Sequence, residues 1–119
     1  MSKDWKTLTA DLSITLRDLR EGVPDVMKGF SAVAQAALKA NALDTKTKEL
    51  IALAIGVATR CDDCIAFHSK AAALQGATRE ELLETLGMAI YMGAGPSVMY
   101  AAHALDAYGQ LAPAKSETA

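Results

Sequence analysis

From Thr85 to Leu105 the chain runs for 21 residues without an Asp, Glu, Lys or Arg. A charge-free stretch of that length has two outlets: a membrane span, or helices buried inside a protein. Gly93-Ala94-Gly95-Pro96-Ser97 sits in the middle of it, the residues are small rather than Leu-rich, and His103 lies near one end. These features argue for two buried helices and against a membrane partner. Helices that are apolar on most sides need more cover than one subunit of 119 residues offers. A homo-oligomer is therefore expected.

The remaining pattern is also helical. Hydrophobic residues make up 51% of the chain but aromatics only 5%, and alanine dominates, which favours closely packed helices over a strand-rich sandwich. Trp5, Leu8, Leu12, Leu16 and Leu19 recur at spacings of three and four, giving a first helix that ends near Glu21-Gly22. Pro24 suits the first turn of a second, carrying Val26, Phe30, Val33 and Ala37 toward Ala40, with Asn41 as terminator. Asp44 or Thr45 caps a third helix with Leu50, Leu53, Ala54 and Val57 on its apolar face. A fourth starts around Cys61 and closes at Gln75-Gly76. Thr78-Arg79-Glu80-Glu81 has capping-box spacing and opens a fifth, and the Gly93–Ser97 break separates it from a sixth that ends at Tyr108-Gly109. Met27, Met88, Met92, Met99 and Tyr91 are assigned to the core rather than to a substrate pocket. The expected fold is all-α: residues 1–119 form one domain, a bundle of about six helices, with 110–119 a disordered tail.

Charge narrows the partners. The net charge is −2 with both signs interspersed, so no basic face is available for a phosphate backbone, and nucleic acid is not an expected partner. Met1–Leu12 carries charge throughout and lacks the apolar core of a secretory signal, which points to the cytoplasm. Thiols there are kept reduced. A C-x-x-C in that compartment is more often catalytic or metal-binding than a structural staple.

Arg60–His68, RCDDCIAFH, holds both cysteines of the chain and one of its two histidines. On a helix starting at Cys61, Cys64 lies one turn on and His68 four residues beyond Cys64, so all three share a face. The unpaired N–H groups of the first turn favour thiolate there. Asp62 and Asp63 oppose it, and Arg60 compensates in part. His68 is within reach of Cys64 as a local base. Glu49 shares a face of the third helix with Ala52, Leu53 and Gly56, a small-residue surface that lets another helix approach and leaves the carboxylate buried. A buried carboxylate needs a partner. If the third and fourth helices form a hairpin through Thr59 and Arg60, His68 is that partner, with a water expected between them. His103 is expected to be a satisfied structural residue.

Glu49, Cys61, Cys64 and His68 reproduce the spacing E-x11-C-x2-C-x3-H. Together with KTKELIALAIGVATRCDDCIAFH and AIYMGAGPSVMYAAHAL, this pattern resembles the alkylhydroperoxidase D-like branch of the carboxymuconolactone decarboxylase family, over roughly residues 23–109. The resemblance implies an all-helical fold assembled as homotrimers or homohexamers. It also implies a thiol-dependent peroxidase or disulfide reductase, an antioxidant oxidoreductase that reduces a hydroperoxide at the expense of a dithiol or lipoyl-type reductant and needs no cofactor or metal. Carried over to this chain, Glu49 and His68 relay a proton from Cys64, Cys64 attacks the peroxide and Cys61 resolves it to a disulfide. Asp63 stands where some family peroxidases carry a histidine.

Three rival functions remain. One is lactone decarboxylation as in the family's namesake, which does not rely on a C-x-x-C pair. Another is a zinc-binding module built from Cys61, Cys64 and His68 with Glu49 or His103, although three ligands on one helical face are awkward to close into a tetrahedron. The last is a non-catalytic oligomeric scaffold.

Overall fold

The structure, a computed structural model, describes residues 3–113. Its elements are α1 (Trp5–Gly22), α2 (Pro24–Leu38), α3 (Thr45–Ala58), α4 (Asp62–Leu74) and α5 (Arg79–Leu111), with no strand among the described residues. The start signals act as expected. Asp4 and Asp44 accept hydrogen bonds from the backbone N–H of Thr7 and Thr47, Pro24 opens α2, and Thr78 and Glu81 close a reciprocal capping box. Gly76, at φ +89°, follows α4 in the left-handed region that favours glycine.

The expected fifth and sixth helices follow one another as the two segments of α5, which meet without a loop at a kink inside the expected Gly93–Ser97 break. Ala94 leaves helical geometry at φ 58°, ψ −146°, and Pro96 has no N–H to give. The axis bends there, but Ser97 is buried and the flanking segments keep packing, so no loop opens. α5 continues to Leu111, which takes the first two residues of the expected tail into a helix; residues 114–119 lie outside the described part. No helix is long and apolar enough to cross a membrane among the described residues.

The core lies where α3, α4 and α5 meet. Leu53 and Val57 of α3, Ile65 and Ala66 of α4, and Leu82, Leu86, Ala89, Ala101, Ala104 and Ala107 of α5 are buried in one cluster, joined by Trp5 from the start of α1. The alanines keep the helix axes close, so modest side chains fill the space. Full burial of residues such as Leu53 or Ile65 contributes about 1.5–3 kcal/mol each. Two ties hold the start of α3: Lys46 pairs with Glu81 of α5 at 2.8 Å, and Lys48 donates to the Lys39 carbonyl after α2 at 2.6 Å.

The apolar stripe of α2 is not in this core. No residue of α2 is buried, and Val26, Phe30 and Val33 are 69%, 66% and 64% exposed. α2 rests instead on Met27, Ala34 and Leu38. The assignment of methionines and Tyr91 to the core is corrected likewise: Met27 is half-buried, while Met88, Tyr91, Met92 and Met99 are 60%, 78%, 76% and 65% exposed. Helical periodicity identifies apolar faces, but five helices have more of them than one small core can cover.

Candidate active site

α3 and α4 form a tight hairpin, and the corner sets the site. Thr59 N–H donates to Ile55 O, Arg60 N–H to Val57 O and Cys61 N–H to Gly56 O, with Arg60 in the left-handed region at φ 59°. Past the corner the helices are in near-contact: a Cβ placed on Gly56 would stand 3.0 Å from Cys64 Cβ. The small face around Glu49 therefore does admit the neighbouring helix, which packs tightly on Gly56 at the second cysteine.

Cys61 is not the first residue of α4 but its N-cap, extended at φ −105°, ψ 97°, and its sulfur accepts the backbone N–H of Cys64 at 3.2 Å. Sulfur thus takes the place usually held by a Ser or Asp oxygen. Cys61 and Cys64 form a disulfide with Cα atoms 5.2 Å apart, ordinary for a bridge across one turn. Both cysteines are half-buried.

One turn after Cys64, His68 Nδ1 lies 2.7 Å from Glu49 Oε1. The expected intervening water is not needed. α3 ends at Ala58, while α4 reaches back through an extended Cys61, which adds about 3 Å of rise to its arm. The offset between the two positions then falls within the reach of a Glu and a His side chain. Glu49 is buried with its side chain 8% exposed, and His68 is 32% exposed. The carboxylate therefore faces the imidazole from a largely dry setting, where its hydrogen bond to Nδ1 fixes the orientation of the ring. His68 also lines an apolar pocket of about 350 Å³ between α2 and α3, with Ala34, Leu38, Ile51 and Ile55 as walls and Lys48 at its edge. A larger cleft of about 620 Å³ by Thr78 and Tyr108 is lined by no cysteine or histidine.

The structure thus pairs Cys61 with Cys64 at the start of α4 and His68 with Glu49 across the same hairpin. His103 is separate, packed between the rings of Trp5 (6.1 Å) and Tyr100 (5.4 Å), and its buried Nδ1 has no hydrogen-bond partner among the described residues. It is a packed ring rather than a satisfied histidine. No group of three or more His, Cys, Asp or Glu side chains is placed to hold a metal ion among the described residues, which leaves the zinc reading without a ligand set. Sequence reasoning missed Lys3, which pairs with Asp62 beside Cys61. No spacing rule links positions 59 residues apart.

Relatives agree with this architecture. Residues 24–107 match the carboxymuconolactone decarboxylase family. An uncharacterized protein of Cupriavidus necator is 40% identical over 111 residues, 93% of this chain and 98% of its own length. Another from Haemophilus influenzae is 39% identical over 108 residues, 91% of this chain and 96% of its own. The crystal structure of a carboxymuconolactone decarboxylase family protein from Legionella pneumophila is similar at a TM-score of 0.89 and 54% identity, covering 92% of this chain and 97% of that one. A Thermotoga maritima family protein, described as "possibly involved in antioxidative response", has a TM-score of 0.75 and 31% identity over 85% of this chain and 89% of its own. An all-helical chain with these matches along nearly its whole length belongs to the carboxymuconolactone decarboxylase family.

Proposed function

We propose that this chain is an alkylhydroperoxidase-like oxidoreductase, reducing hydroperoxides through the Cys61–Cys64 dithiol. The observation that carries the reading is the Glu49–His68 contact at 2.7 Å on the same hairpin that bears the Cys61–Cys64 pair. In the reduced protein His68 accepts the Cys64 proton, and the Glu49 carboxylate stabilises the resulting imidazolium. The Cys64 thiolate attacks the terminal oxygen of a hydroperoxide ROOH. The O–O bond breaks, Cys64 becomes a sulfenic acid, and RO⁻ leaves as ROH with a proton from the imidazolium. The Cys61 thiol then attacks the Cys64 sulfur, the S–OH bond breaks, and water departs as the disulfide forms. A dithiol of lipoyl type reduces that disulfide by exchange and is itself oxidised to a disulfide.

The aliphatic pocket beside His68 favours an organic hydroperoxide over hydrogen peroxide. The exposed Phe30, Tyr91 and Met92 support a homo-oligomer, and the family resemblance favours trimer or hexamer. Its setting is the cytoplasm, which supplies the dithiol reductant.

The test separates the two thiols. Cys61→Ser should react once with cumene hydroperoxide and stop at a sulfenic acid that a dimedone-type reagent traps, because His68 is one turn from Cys64 but two from Cys61. Cys64→Ser should lose the reaction almost entirely. If Cys61→Ser is dead and Cys64→Ser still traps, the roles are reversed; if neither wild type nor variants react, the peroxidase reading falls.

A further inference from the structure

The hairpin carries a charge problem that the relay does not address. Asp62 and Asp63 occupy the first turn of α4, directly after the Cys61 cap, and a carboxylate there disfavours a thiolate. Asp63 is exposed and screened by water, as is the Arg60 side chain across the corner, while Glu49 of α3 is taken up by His68. Asp62 is only about one-third exposed, so its field reaches the sulfurs more strongly. Its counter-ion is Lys3, from the segment that precedes α1.

Lys3 is held in place rather than waving at the surface. Its carbonyl accepts a hydrogen bond from Gln110 Nε2 at 3.0 Å, and its ammonium stands 5.5 Å from the centre of the Trp5 ring. Trp5 is itself fully buried, its backbone N–H donating to Gln110 Oε1 at 2.8 Å and its indole N–H to Asp106 at 3.0 Å. The end of α5 thus clamps the N-terminal segment against the start of α4. The segment lies outside the stretch 24–107 that matches the family.

We propose that Lys3 is a positioning residue for the dithiol: by neutralising Asp62 it keeps the Cys61–Cys64 pair reactive, so the clamp at Trp5 sets how readily the thiols ionise. Its purpose rests on the redox function proposed above, but its electrostatics do not. Removing the ammonium leaves the Asp62 charge unpaired next to Cys61, moves the equilibrium between thiol and thiolate plus proton toward thiol, and makes the disulfide a weaker oxidant.

The test measures iodoacetamide alkylation of the fully reduced protein against pH, together with the dithiol–disulfide equilibrium in dithiothreitol buffers. At neutral pH and low salt Lys3→Gln should react about threefold more slowly than wild type, a shift of roughly half a pKa unit. Asp62→Asn should react faster than wild type, Lys3→Gln/Asp62→Asn should return close to it, and Lys3→Arg should match it. About 1 M NaCl should narrow all these differences. A Lys3→Gln profile that superimposes on wild type overturns the proposal. So does a slow Lys3→Gln that Asp62→Asn fails to rescue, because that marks a loosened clamp rather than an unshielded charge. Neither readout uses peroxide. The ordering can hold in a protein that turns over no hydroperoxide, which would sink the peroxidase reading alone.

Discussion

Glu49 and His68 are 19 positions apart in sequence and meet at 2.7 Å across the α3–α4 hairpin, the carboxylate buried and the imidazole partly open to solvent. The buried partner fixes the orientation of a ring whose other side faces solvent.

Glu49→Gln keeps the contact but removes the anion, so the imidazolium is less stabilised and His68 becomes a weaker acceptor for the Cys64 proton. Alkylation of the reduced protein should slow about tenfold at neutral pH and approach wild type at alkaline pH, where the thiol ionises unaided. A profile of rate against pH identical to wild type would uncouple Glu49 from the thiols.

At Gly56 α3 and α4 pack with no room for a side chain: a Cβ there would stand 3.0 Å from Cys64 Cβ. Gly56→Val should force the hairpin open and lower stability by about 1–3 kcal/mol in urea unfolding with little change in slope. The same variant should slow the thiols, because the site is built on that spacing. A fully stable Gly56→Val would show that the helices separate freely.

Acid should loosen the helix starts. The hydrogen bonds that Asp44 accepts from Thr47 hold its carboxyl below the usual value, and the Lys46 ammonium followed by the Thr78 backbone N–H does the same for Glu81. Groups whose folded pKa is depressed contribute stability that is fully present above their unfolded value of about 4 and lost as pH falls through the lower folded one. The melting temperature should hold from neutral pH to about 5 and fall below 4. Asp44→Asn/Glu81→Gln should flatten that acid limb, and an unchanged limb would place the acid sensitivity elsewhere.

The uncovered stripes should find cover. Phe30 on α2 and Tyr91 and Met92 on α5 are 66%, 78% and 76% exposed, an arrangement that favours association. Light scattering at micromolar concentration should report a trimer or hexamer, and Phe30→Asp or Met92→Asp should shift the population to smaller species. A monomeric wild type would overturn this.

What the sequence determined by itself is local. The caps at Asp44 and Thr78, the glycine stop at Gly76, the helical turn that places Cys64 and His68 on one face, and the small surface around Glu49 all follow from interactions within about four residues, which periodicity and capping rules encode directly. His68 could be named as the partner of Glu49 because a buried carboxylate needs one and a two-helix hairpin offers few. Tertiary structure alone decided the remainder. The extended cap at Cys61 set the offset of the hairpin, bringing Glu49 and His68 into direct contact without a bridging water. The break expected at Gly93–Ser97 became a kink at Ala94 rather than a loop, with Ala89, Ser97 and Ala101 buried on either side of it. Lys3 reached Asp62 only because α5 returns its end to the start of α1, a closure over more than 100 residues that no local pattern specifies. Which apolar faces remain open is a comparison among all five helices, and the core is filled by α3, α4, α5 and Trp5 with no buried residue from α2.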